Sequence, residues 1–190
     1  MALDSIGDWV RTQYTSQVTP DLDGKEVTLF GWVQEVRDLG GLRFIIMQDR
    51  EGTVQVTIPK KRVSPEVLAK SDLLQKRFSF GLKGTVKKTN QTKRGVEVVP
   101  TAIKVFSTAS EQLPIDITGK TPANIEVRLD ARALDLTLES SLAIFKIQHV
   151  ALASIRNYLY EQGFMEAHSP RIIGSATEGG AELFSIDYFE

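Results

Sequence analysis

The chain has 190 residues, 42% of them hydrophobic and 25% charged, with a net charge of −1, enough for one or two small domains with a sizeable core. It contains no Cys and only two His, His149 and His168. Disulfides and thiolate metal sites are thereby excluded and a His-rich metal site is disfavoured, while sites built from Asp and Glu stay open.

The opening MALDSIGDWVRTQ has no apolar core of the signal-peptide kind. No apolar run reaches membrane-spanning length. A soluble, cytoplasmic protein with no membrane partner is expected. From Lys25 the residues turn β-branched and aromatic. KEVTLFGWVQEVR (25–37) reads as a first strand and DLGG (38–41) as a turn. LRFIIMQD (42–49) reads as a second strand, ended by Arg50-Glu51-Gly52. TVQVTI (53–58) alternates, with Val54, Val56 and Ile58 on one face and Gln55 on the other. A helix follows, capped by Ser64, with Pro65 at its first position and Val67, Leu68 and Leu74 as its apolar side. Residues 78–88 form a fourth strand, with Phe78, Phe80, Leu82 and Val86 in register. NQTKRG (90–95) is a polar, basic loop, and residues 96–106 a fifth strand, interrupted at Pro100. Three strands, a helix and two strands are the order of an OB-fold, an all-β barrel of five strands and one helix that often binds oligonucleotides. The stretch from Lys25 to Ser107 holds 16 Lys+Arg against 8 Asp+Glu, a net +8 that leaves −9 for the rest. That split suggests two units, one of them facing an anionic partner.

Residues 107–122 read as a linker, and NIEVRLDARALDLT (124–137) is charged with little period. Residues 140–162 carry the strongest helical pattern: Leu142, Phe145, Leu152, Ile155 and Leu159 make one stripe, Ser140 or Ser141 caps it, and Gly163 ends it. A strand is expected over 164–173.

Single-stranded nucleic acid is held by basic grooves and aromatic faces and read by hydrogen bonds to base edges. Arg37 ends the first strand, Phe44 is flanked by Arg43 on the second, and Gln55 projects from the third. Taken singly, Phe44 is more simply a core residue and Gln55 a solvated strand residue. The string GWVQEVRDLGGLRFIIMQDREGTVQVTI (31–58) resembles the anticodon-binding barrel of aspartyl- and asparaginyl-tRNA synthetases, including the RDLG turn, the DREG turn and the VQV strand. The resemblance implies that Phe44 stacks on an anticodon base, Gln55 reads the central uracil, and Arg37 is the basic residue beside it. It implies a structural role for Trp32. Gln34 and Gln91 stand at positions associated, in the family, with charging tRNA(Asp) alone or tRNA(Asn) too, and glutamine at both matches neither pattern.

EQGFMEAHSPRII (161–173) resembles the first class II synthetase motif, which implies a homodimer interface near Pro170, with His168 structural and His149 a packing or surface residue. GSATEGGAELF (174–184) resembles the mobile loop that closes over aspartate. Glu178 is then the carboxylate that meets the substrate ammonium group, with Thr177, Gly179 and Gly180 shaping the loop. AELFSIDYFE (181–190) resembles the aspartate rather than the asparagine enzymes, of the archaeal and eukaryotic branch, whereas DLTLESS (135–141) departs from the basic, proline-containing string usual there.

The resulting expectation is an OB-fold anticodon-binding domain over 1–107, a hinge over 108–137, and over 138–190 an α+β segment that begins a class II catalytic domain. The complete aspartate–tRNA ligase would use ATP and Mg2+ to charge tRNA(Asp), and tRNA(Asn) too if its specificity is relaxed. An FRxE-like string and a glycine-rich stretch ending in arginine, the second and third motifs, are not found among these residues. The chain alone is therefore expected to have no catalytic residue, to bind no cofactor or metal by itself, and to be inactive. A naturally short, noncatalytic RNA-binding protein and part of an asparagine–tRNA ligase are the alternatives.

Overall fold

The structure, a computed structural model, describes residues 3–109 and 113–168. Five strands, β1 (Glu26–Asp38), β2 (Leu42–Asp49), β3 (Gly52–Pro59), β4 (Ser79–Lys88) and β5 (Val96–Ser107), close into a barrel in the order β1-β2-β3-β5-β4. Helix α1 (Pro65–Leu73) lies between β3 and β4. All described strand pairs are antiparallel except β3–β5, which is parallel. This is the expected OB-fold, and closure leaves no unpaired sheet edge.

Alternation builds the core. Val27, Leu29, Val33, Ile45, Met47, Val54, Val56, Ile58, Phe80, Leu82 and Val86 all point inward and are buried. Val67 and Leu74 on the α1 side join them. Ser64 accepts from the Val67 amide at 3.3 Å and Pro65 occupies the first turn, as the sequence suggests. Gly31 is required by closeness: a Cβ there would sit 2.4 Å from the Gln48 carbonyl oxygen. β5 is not interrupted at Pro100. Instead the β4–β5 register shifts between Lys83 and Gly84, and Gly84 faces Pro100. A Cβ on Gly84 would lie 2.6 Å from the Val99 carbonyl oxygen, so the bulge needs glycine there.

The RDLG and DREG turns are built on carboxylates. Asp38 accepts from the Gly40 amide and pairs with Arg43 and Lys60. Asp49, buried, accepts from the amide and hydroxyl of Thr15 and from the amides of Glu51 and Gly52. Residues 3–24, to which the sequence assigns no element, run along the barrel as a strap. Asp4 exchanges bonds with Val105, the Thr12 amide donates to the Thr28 carbonyl, and Val18 enters the core. The Trp9 ring takes the ammonium groups of Lys83 and Lys104 at 5.1 and 4.8 Å.

Residues 124–137 are not irregular. They form α2 (Ile125–Asp130), capped by the Asn124 side chain, and α3 (Arg132–Asp135). Asp135 is fully buried and is held by Arg128 and Arg132 at 2.8 and 3.1 Å. Short range explains the missed period: two helices of six and four residues are shorter than the window that periodicity needs.

The chain divides into two compact units, Met1–Glu139 and Ser140–Glu190. Helix α4 (Glu139–Glu161) begins before both expected capping serines, so Ser140 and Ser141 lie inside its first turn. It ends ahead of Gly163, whose φ of +83° suits glycine. Residues 164–168 have no regular structure, and the rest of the strand expected over 164–173 lies outside the described residues.

Candidate nucleic-acid interface

Register places the three candidate barrel residues on one outer face. Arg37 pairs with Phe44, and Phe44 with Thr57. One row further, Glu35 pairs with Ile46, and Ile46 with Gln55. Antiparallel partners share a face, so Arg37, Phe44 and Gln55 stand together outside the barrel. Phe44 is half-buried and outside the core cluster. Its ring is therefore not core packing, although its inward neighbour Ile45 is fully buried.

Gln55 sits in a polar network that sequence reasoning missed. Its Nε2 donates to Thr57 Oγ1 at 3.2 Å and to Glu97 Oε2 at 3.3 Å, while Thr57 Oγ1 donates to the same carboxylate oxygen at 2.6 Å. Both amide hydrogens are thereby committed within the protein. The Oε1 atom takes no hydrogen bond among the described residues. The amide thus offers an acceptor, with its orientation set by Glu97 on β5. Glu97 is 42 residues away in sequence from Gln55. Only barrel closure brings them together, so no local signal could have identified it.

Arg37 is exposed and pairs with Glu35 at 2.7 Å, and Lys120 pairs with the other Glu35 oxygen at 2.9 Å. The hydrogen bond from Arg37, then that from Lys120, holds the Glu35 carboxyl down at about 2. Two other basic residues of the barrel are spent on structure. Arg43, which flanks Phe44, is bound to Asp38, Asp72 and the Ser71 carbonyl. Arg94, in the loop read as basic, donates to the carbonyls of Thr15, Ser16, Val18 and Thr53. Trp32 faces outward with the Arg77 guanidinium 5.7 Å from its ring centre.

Pro170, Thr177, Glu178, Gly179 and Gly180 lie outside the described residues. Among the described residues no group of three or more His, Cys, Asp or Glu side chains is placed to hold a metal ion. Nor is any described helix long and apolar enough to cross a membrane.

Residues 27–106 match the model of the OB-fold nucleic acid binding domain. Residues 124–189 match that of tRNA synthetases class II (D, K and N). The aspartate–tRNA(Asp/Asn) ligase of Methanopyrus kandleri is 50% identical over 95% of the chain and 42% of its own length. The aspartate–tRNA(Asp) ligase of Pyrococcus horikoshii is 46% identical over 95% of the chain and 41% of its length. Among solved structures, the asparaginyl-tRNA synthetase of Pyrococcus horikoshii, complexed with asparaginyl-adenylate, is similar with a TM-score of 0.85 and 31% identity. That similarity covers 95% of this chain and 41% of the other. The chain spans about two fifths of the length of these relatives.

Proposed function

The chain belongs to the class II tRNA synthetases of the D, K and N group, joined to an anticodon-type OB domain, and we propose that it is the N-terminal part of an aspartate–tRNA ligase. Residues 1–107 bind the anticodon loop, residues 108–137 form the hinge, and residues 138–190 open the catalytic domain. The observation that carries the RNA-binding role is the shared outer face of Arg37, Phe44 and Gln55, with an unengaged amide oxygen on Gln55. A base stacked on Phe44 would present its edge to that oxygen. Uracil carries a donor at N3 and cytosine an acceptor, so the oxygen accepts from the first and repels the second.

The complete enzyme would activate aspartate with ATP and Mg2+ and work as a cytoplasmic homodimer, with Pro170 at the interface. Glu178, assisted by Thr177, Gly179 and Gly180, would hold the aspartate ammonium group. In this reading the ATP phosphates and Mg2+ would be held by arginines and carboxylates of the second and third class II motifs. α4 supports the reading of an opened catalytic domain. Ile144, Ile147, Val150 and Tyr158, beside the expected stripe, are more than half exposed, as is Ile155 within it. A helix apolar on more than one face is built to be covered.

The test is binding of an anticodon stem-loop RNA with a central uracil to the chain, followed by anisotropy. Phe44→Ala should weaken binding by about 1–3 kcal/mol, the usual worth of one stacked base. Unchanged affinity would sink the anticodon reading of this face.

A further inference from the structure

The network around Gln55 leaves an electrostatic problem on the proposed RNA-binding face. Glu97 is a carboxylate on a surface that would receive a polyanion, and its oxygen is already shared by Gln55 and Thr57. On β4, the residue paired directly with Glu97 is Lys87. Inward-pointing Val86 fixes the parity of this end of β4, so Lys87 points outward beside Glu97. The side chain is exposed and makes no ion pair among the described residues. Several other cations of the barrel are engaged, Arg37 by Glu35, Lys60 by Asp38, and Lys83 and Lys104 by the Trp9 ring, whereas Lys88 and Lys93, beyond this row, are exposed and like Lys87 make no ion pair among the described residues. The outer face therefore runs Arg37, Phe44, Thr57 with Gln55, Glu97, Lys87 across all five strands, with an unspent ammonium group at its far end.

We infer that Lys87 is an RNA-contact residue: its ammonium group holds the backbone phosphate of the nucleotide whose base stands at Gln55. The inference rests on the anticodon-binding reading given above. A compact, flexible ammonium suits a phosphate, which needs charge rather than a fixed fork. It also offsets the neighbouring Glu97, so that a carboxylate useful for orienting Gln55 does not repel the strand it serves. Phosphate contacts place the RNA without reading it. Lys87 should therefore act equally on matched and mismatched loops, unlike Gln55.

The experiment measures affinity against salt concentration for the central-uracil stem-loop and for the same RNA with cytosine at that position. Lys87→Gln is expected to weaken both RNAs alike and to lower the slope of log affinity against log salt by about 0.7–0.9, one phosphate contact. Lys83→Gln removes the same charge from the same strand, where the ammonium lies against Trp9, and is expected to leave the slope near wild type. A wild-type slope for Lys87→Gln would overturn the assignment, as would equal losses in both variants, which would reduce Lys87 to a general share of the protein's field. Phe44→Ala, run alongside, separates the two levels. If Phe44→Ala weakens binding and Lys87→Gln does not, the phosphate contact fails and the anticodon face stands. If neither does, the RNA-binding reading of this face fails as well.

Discussion

Gln55 illustrates how much a single side chain's role depends on its neighbours. An amide can donate and accept, but here both hydrogens are held by Thr57 and Glu97 and only the oxygen is offered. Gln55→Ala should shrink the preference for uracil over cytosine at the central position more than it lowers overall affinity. Equal losses for both RNAs would remove the reading role. Glu97→Ala should narrow the same preference without removing the amide, because Gln55 would lose the partner that turns it. An unchanged preference in that variant would show that Gln55 keeps its orientation without the carboxylate. Gln55 and Phe44 were legible as candidates from strand alternation and family resemblance. Glu97 was not, because its partners reach it only through the parallel β3–β5 contact.

Among the elements, the β4–β5 connection carries a basic residue that serves the fold. Arg94 is a strut whose guanidinium joins the hairpin to the strap and to β3 through four carbonyls. Charged hydrogen bonds each contribute about 1.5–3 kcal/mol. Its exposure discounts that sum, and Arg94→Ala should cost about 2–3 kcal/mol in urea unfolding. An undiminished unfolding midpoint would mean that the strap is held by its other bonds alone. The turn and strut carboxylates set a pH dependence. Glu35 is lowered to about 2 by Arg37 and Lys120, Asp38 to about 2 by Lys60 and Arg43, and Asp116 to about 2 by the amide and hydroxyl of Thr118. In the unfolded chain these groups titrate near 4.5 for Glu and 3.8 for Asp. Their stabilisation is thus present above those values and is lost as pH falls towards about 2. Stability measured from pH 5 down to pH 2 should fall, and Glu35→Gln should flatten part of that fall. Parallel curves for wild type and variant would contradict the lowered Glu35 carboxyl.

For the molecule as a whole, the two units differ in what they need. The first closes its own barrel around a continuous core, and the residues beyond β5 fold back on it: Ile115 and Ile117 are buried, and Gln48 Nε2 donates to the Thr137 carbonyl at 2.9 Å. The second presents an apolar helix that is suited to burial. Under the proposed reading, the chain alone should bind the stem-loop, with affinity that falls steeply with salt, and show no aspartate-dependent ATP–pyrophosphate exchange. Exchange by the purified chain would refute the proposed division of labour.

The sequence by itself determined the barrel, because period-two alternation, turn residues and the helix position are local properties of the chain. It also determined the family, because the strings over 31–58 and 161–184 are long enough to be distinctive. It could not determine which charges are free. Arg43, Arg94 and Lys87 are equivalent in composition, and only the closed barrel shows that the first two are bound to carboxylates and carbonyls while the third faces solvent beside Glu97. A cation's availability depends on partners far away along the chain, and those partners are brought within reach only when the strands pair.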